Sequence, residues 1–175
     1  MNSKNIALTA IAFFVIVIVL YTVLVVSFYS DKDTKTEGVS QVEQVEVYNP
    51  QINPADFVSY INNPYLSYVP GTKYIYEGET EEGTERVEVF VTHETRNVMG
   101  VNTLVVWDRE WLNDELIEDT KDWFAQDQLG NVWYFGEDSK DLVNGAVVST
   151  QGSWEAGIDG AKPGIIMKAV PVIAE

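Results

Sequence analysis

Three kinds of side chain in this 175-residue chain have the chemistry to build a site. Carboxylates come first: Glu77, Glu79, Glu81 and Glu82 near one turn, then Asp114, Glu115, Glu118, Asp119 and Asp122 further on. Two carboxyl groups facing each other across a cleft at about 5 to 10 Å are what glycoside hydrolysis requires, although in so acidic a chain such neighbours also arise by chance. Oxygen-rich turns come second. Asp127 and Asn131 around Gly130, and Asp159 in a glycine loop, offer the hard oxygen ligands that calcium takes. Neither turn has the D-x-[DN]-x-[DN]-G spacing with a distal glutamate, and turn geometry alone accounts for Asx and Gly at these places. Aromatic residues come third. Trp107, Trp111, Trp123, Trp133 and Tyr134 are candidates to line a groove for a lipid, glycan or peptide, with burial in a core as the competing use. None of these residues requires a cofactor or a metal to explain it.

Other chemistries are excluded or weak. The chain has no cysteine, so disulfides, thiolate metal sites and a cysteine nucleophile are absent. Its one histidine, His93, lies beside Glu94 with no G-x-S-x-G elbow anywhere, and reads as a structural or surface residue. There are 27 acidic residues against 11 basic ones, a formal net charge of −16. A surface of that sign repels phosphate backbones, which argues against nucleic acid as a partner.

The elements that must position these residues are strands. Trp123 to Glu137 reads WFAQDQLGNVWYFGE, two aromatic-rich runs around a glycine turn, the pattern of an antiparallel hairpin. Alternation puts Trp133 and Phe135 on one face and Val132 and Tyr134 on the other, so both faces are apolar and the hairpin belongs inside a larger sheet. Upstream, Thr72 to Glu77, Glu85 to Thr95 and Thr103 to Leu112 alternate in the same way, with Val87, Val89 and Val91 on one side of their strand and Val105, Trp107, Arg109 and Trp111 on one side of theirs. Glu115 to Ala125 leads into the hairpin. Leu142 to Thr150 turns at Asn144-Gly145, and Ser153 to Ala156 and Ile165 to Met167 follow. Connections this short leave no room for crossover helices. The expected fold is all-β, an antiparallel meander forming a curved open sheet or partial barrel over residues 63–168, with a short tail at 169–175.

Ahead of the sheet, Ile6 to Phe28 is free of charge and proline and spans roughly 34 Å as a helix at about 1.5 Å per residue, enough to cross a bilayer. It is too long for the apolar part of a cleaved signal peptide and lacks a small-residue cleavage site. The expectation is a single-pass transmembrane anchor behind a tail of residues 1–5, with the domain outside the cytoplasm. Residues 29–62, rich in Ser, Thr, Gln, Glu and Asp, read as a polar tether, with a short helical turn at Asp56 to Ile61 stopped by Asn62-Asn63-Pro64.

Several segments carry a likeness beyond pattern: Asn63-Pro64-Tyr65 with Pro70-Gly71-Thr72, Tyr76-Glu77-Gly78, Thr84 to Val89, Gln126-Asp127 with Gly130 to Glu137, and Gly152 to Gly157 through Asp159 to Met167. In these the chain resembles a widespread uncharacterised family of secreted or membrane-anchored β-rich proteins of bacteria and archaea. The resemblance implies an extracytoplasmic setting and brings no activity with it. In that family the Gly-Ile-Ile-Met segment is followed by a further β-rich portion, whereas only Lys168 to Glu175 follow it here. The resemblance thus implies either a truncated member, whose last strand would offer its edge to another chain, or a sheet completed in a different way. The functional expectation is a non-catalytic domain that binds an apolar or extended ligand, or an envelope protein, on its sheet or edge. A carboxylate-dependent hydrolase of surface polymers and a purely structural envelope component are the alternatives.

Overall fold

The computed structural model describes residues 48–172. After a single 3-10 turn at Pro54–Asp56, they form eleven strands: β1 (Phe57–Val58), β2 (Ile61–Asn63), β3 (Leu66–Tyr68), β4 (Lys73–Thr80), β5 (Gly83–Val98), β6 (Val101–Leu112), β7 (Glu115–Asp127), β8 (Val132–Val143), β9 (Ala146–Ser149), β10 (Trp154–Glu155) and β11 (Gly164–Met167). The fold is all-β, as the alternation predicts. Strands β4 to β8 are consecutive antiparallel neighbours, a meander. Two of its reversals, Met99-Gly100 and Asn113-Asp114, and the turn from β8 to β9 at Asn144-Gly145 are two-residue turns in which both central residues have positive φ. That backbone twist matches the twist of the strands it joins.

The last strands depart from a meander. β9, β10 and β11 all pair with β8, at Asp141 to Val143, at Gly136-Glu137 and at Val132 to Tyr134 respectively. β8 is long, and three short segments share its outer side in turn. Gly136 makes the middle contact feasible: with φ 135° it sits at a bulge where an added Cβ would lie 2.3 Å from the carbonyl oxygen of Trp154.

Residues 48–62, expected as tether, belong to the folded domain. Ile52 and Phe57 pack against the core, Ile61 is buried, and the Tyr48 hydroxyl donates to the carbonyl of Pro163 at 2.8 Å. Asp56 to Ile61 does not form the expected helical turn. Phe57-Val58 instead pairs with Gln126-Asp127 of β7, and Ile61–Asn63 forms a hairpin with Leu66–Tyr68. The competing force is tertiary: Gln126 accepts the amides of Asn62 and Asn63 at 2.9 Å each, fixing an extended chain that local sequence alone leaves open. No helix among the described residues is long and apolar enough to cross a membrane. The segment Ile6 to Phe28 and the rest of the expected tether lie outside the described residues.

The sheet buries an apolar cluster on each face. One contains Val98, Val101, Val105, Trp123, Ala125, Phe135 and Ala156; the other, beneath the β2-β3 hairpin, contains Ile61, Val91, Val106, Phe124 and Val132. The two-sided apolar pattern of the β7-β8 hairpin therefore supplies both cores, Phe135 to the first and Val132 to the second.

Candidate functional site

Beyond these cores the register sorts charge by face. On the side that carries Trp107 and Trp111, the rows across the sheet read Glu88, Arg109, Asp119, Lys140 and then Phe90, Trp107, Lys121, Asp138, each residue directly opposite the next. Cations and acids alternate, and opposite charges at facing positions favour the pairing. Glu88 is the centre. Its carboxylate accepts from Lys73 Nζ at 2.8 Å, from Arg109 Nη2 at 3.2 Å and from Arg86 Nη2. It is 6% exposed because those cations cover it rather than because it lies deep. The hydrogen bond from Lys73 and the charges of Arg86 and Arg109 hold its pKa below the ordinary carboxylate value.

Two tryptophans frame this cluster. The Arg109 guanidinium carbon stands 4.1 Å from the Trp107 ring centre and 5.1 Å from that of Trp111, and Arg86 lies 5.1 Å over Trp111. The result is a ladder of planar groups, held by cation–π attraction and by the bond from Trp107 Nε1 to Asp119 at 3.0 Å. Both tryptophans are half-buried and belong to neither apolar cluster.

The opposite face is acidic. Its rows read Val91, Val106, Asp122, Glu137; Val89, Asp108, Thr120, Ser139; and Val87, Glu110, Glu118, Asp141. Asp122 thus faces Glu137 and Glu110 faces Glu118, with Asp108 diagonal to both pairs. Facing side chains in an antiparallel pair stand about 5 Å apart at Cβ, and like charges there repel. Lys73, Arg86, Arg109, Lys121 and Lys140 all project from the other side. The Asp108 Oδ1 atom is buried without a hydrogen-bond partner. Tyr134 donates its hydroxyl to Asp122 Oδ1 at 2.6 Å, and Trp154 Nε1 donates to Glu137 at 3.2 Å.

Desolvation, reinforced by neighbouring carboxylates, pushes these acids up. Asp108 rises to about 6 and Glu110 to about 8. Asp122 rises to about 8 despite the opposing bond from Tyr134. Burial raises Glu137 as well. Near neutral pH Glu110 and Asp122 hold protons while Asp108 titrates lower, a division of state that general acid and general base chemistry uses. No family model, curated protein or solved structure matches this chain. Any functional reading therefore rests on these two faces.

The five aromatic residues picked out in the sequence do not share one surface. Trp107 and Trp111 form the ladder. Trp123 is 5% exposed in the first core, with Arg96 over its ring at 4.1 Å. Trp133 packs against that core and donates Nε1 to Asp127 at 2.9 Å. Tyr134 is on the acidic face, stacked on Phe124 with ring centres 4.9 Å apart.

The calcium candidates are likewise dispersed. Both Asp127 oxygens are engaged, by the Asn131 amide at 2.9 Å, the Asn131 side chain at 2.8 Å and Trp133. Burial would raise Asp127, but these bonds outweigh it and hold it below the ordinary value. Asn131 Oδ1 accepts from Ala169 at 2.9 Å. Asp159 is exposed in a turn at φ 50°. Among the described residues no three of His, Cys, Asp and Glu are arranged to hold a metal ion.

Of the acids named from sequence, Glu118 and Asp122 join the acidic band and Asp119 does not. Glu77, Glu79, Glu81 and Glu82 are exposed on β4 and its turn, and His93 is exposed beside Gly71, away from the acids. Sequence reading missed Asp108, Glu110 and Glu137. The alternation that put Trp107, Arg109 and Trp111 on one side already put Asp108 and Glu110 on the other, but only the cross-strand register brings them to Glu118, Asp122 and Glu137.

Proposed function

We propose that this protein is a membrane-tethered, extracytoplasmic, non-catalytic binding domain, anchored as a single pass by Ile6 to Phe28. It engages an extended or apolar ligand, or an envelope protein, on the face that carries Trp107, Arg109 and Trp111. The observation that supports this reading is the ladder itself: two half-exposed indole rings held by stacked guanidinium groups, outside both cores. Rigid aromatic planes edged by paired charges present a large contact area with little side-chain entropy left to lose. Purification of the full chain in detergent, followed by extraction and mass spectrometry, tests it. A defined lipid, glycan or peptide should accompany the wild type and be lost from the Trp107→Ala/Trp111→Ala variant. Recovery of clean, ligand-free protein in both cases would favour a purely structural envelope role.

The acidic face supports a second reading, a hydrolase of surface polymers. Its supporting observation is the facing pair Asp122 and Glu137, two carboxyls raised by burial with Tyr134 hydrogen-bonded to Asp122. Release of reducing ends from envelope polysaccharide, abolished by Asp122→Asn, would establish that activity; none above background would reject it.

A further inference from the structure

β4 is the terminal strand of the meander, and among the described residues nothing pairs with its outer side. Natural edges of this kind are blunted by bulges, proline, brevity or charge. β4 has eight residues, no proline and an unbroken register with β5 from Lys73 to Thr80. Ile75 and Tyr76 are 54% and 59% exposed, on opposite faces.

The backbone groups directed outward can be identified. Val91 gives its N–H to Thr72 and accepts from Gly71, so its polar groups face the β4 side. By the alternation of an antiparallel ladder Val89 does the same with Tyr74. The N–H and C=O groups of Lys73, Ile75 and Glu77 therefore point away from the sheet.

The sequence of that stretch is Lys73-Tyr74-Ile75-Tyr76-Glu77, which reads the same in both directions except for the sign of the charge at its ends. From this we infer that β4 pairs antiparallel with β4 of a second copy of the chain, about a two-fold axis at Ile75. Lys73 then faces Glu77 of the copy and Glu77 faces its Lys73. Tyr74 faces Tyr76 in both directions, and Ile75 meets Ile75. The residues with outward polar groups are the ones placed opposite each other, so the ladder continues without a shift. Charges that would deter a foreign strand attract an inverted copy of the same one. The interface is self-complementary, as a two-fold requires, and it joins the tryptophan-bearing faces of the two copies on one side of a continuous sheet.

The test uses the full chain in detergent, with mass measured by sedimentation and light scattering corrected for bound detergent. Wild type should be a dimer at micromolar concentration. Lys73→Glu and Glu77→Lys should each weaken the dimer at least tenfold, and mixing the two variants in equal amounts should restore it, because every facing pair in the mixed dimer is again Lys with Glu. Glu77 makes no ion pair among the described residues, so its variant keeps the Glu88 cluster intact, and circular dichroism checks both. Since the chain has no cysteine, Ile75→Cys should cross-link to itself on mild oxidation and Thr80→Cys should not. A monomeric wild type would overturn the inference, as would a dimer in which Ile75→Cys fails to cross-link. A dimer indifferent to both charge reversals would place the contact elsewhere and overturn it too.

Discussion

Replacing Asp122 with asparagine should make the protein more stable, and by an amount that grows with pH. In the fold Asp122 titrates at about 8 instead of 3.8, because burial opposes its charge and Asp108, Glu137 and Glu118 add to that opposition. Below about pH 4 both folded and unfolded chains carry the proton, and the stability associated with it is fully present. Between about pH 4 and 8 the unfolded chain has released the proton and the folded chain has not, so stability falls by about 1.4 kcal/mol per pH unit. Above about pH 8 the folded group ionises too, and the loss levels off. By pH 7, about 3 pH units above the unfolded value, the accumulated loss is about 4 kcal/mol. The charges of Asp108 and Glu137 couple to that of Asp122, so a single site carries only part of that. Asparagine keeps an acceptor for the Tyr134 hydroxyl and never ionises. The variant should exceed wild type by about 2 to 4 kcal/mol at pH 7 and match it near pH 4. Urea unfolding followed by tryptophan emission at pH 4, 5.5, 7 and 8.5 measures the difference. A gap that does not change with pH, or a variant weaker than wild type at pH 8.5, would refute the account of a desolvated, proton-holding carboxyl.

Glu88→Gln should act in the opposite sense on the other face. It leaves Lys73, Arg86 and Arg109 facing one another without their shared anion, and because Lys73 and Arg86 are partly exposed the loss should be about 1 to 3 kcal/mol, read as a lower urea midpoint at neutral pH that is partly recovered at high salt. Asn63→Ala should be more damaging. Asn63 is 2% exposed, donates to the carbonyls of Gly130 and Lys168 and accepts from the amides of Tyr65 and Leu66. Its removal orphans several buried groups at about 1 kcal/mol or more each, and amide exchange in Ile61–Tyr68 should accelerate with the drop in melting temperature.

The parts of this protein legible in its sequence are those governed by local rules. Alternation along Glu85 to Leu112 places Val87, Val89 and Val91, and Trp107, Arg109 and Trp111, on the faces they occupy, and Asn144-Gly145 marks its turn. What stayed hidden depends on contacts far apart in the chain. Nothing near Phe57-Val58 indicates that it will lie beside Gln126-Asp127, or that Gln126 will hold the amides of Asn62 and Asn63. The acidic band was invisible for a related reason. Each of its members sits in a strand that looks ordinary alone, and facing pairs such as Glu110 with Glu118 exist only once a bulge near Trp111 has set the register of β6 on β7. The four tryptophans of the aromatic set share one side of the sheet, with Tyr134 on the other, as alternation allows, but only the packing of distant strands decides that Trp123 enters a core while Trp107 and Trp111 stay half-exposed.

The three-part border along β8 has a mechanical meaning. Contacts of two to four residues are too short to hold by themselves, and each can come away while the others stay. Amides of β8 that point at β7 exchange with solvent only when the whole sheet separates, whereas those turned outward exchange piece by piece, under Ala146–Ser149, Trp154–Glu155 or Gly164–Met167. Damage at this border, by proteolysis or by an inserted loop, would therefore be absorbed one latch at a time and leave the meander standing.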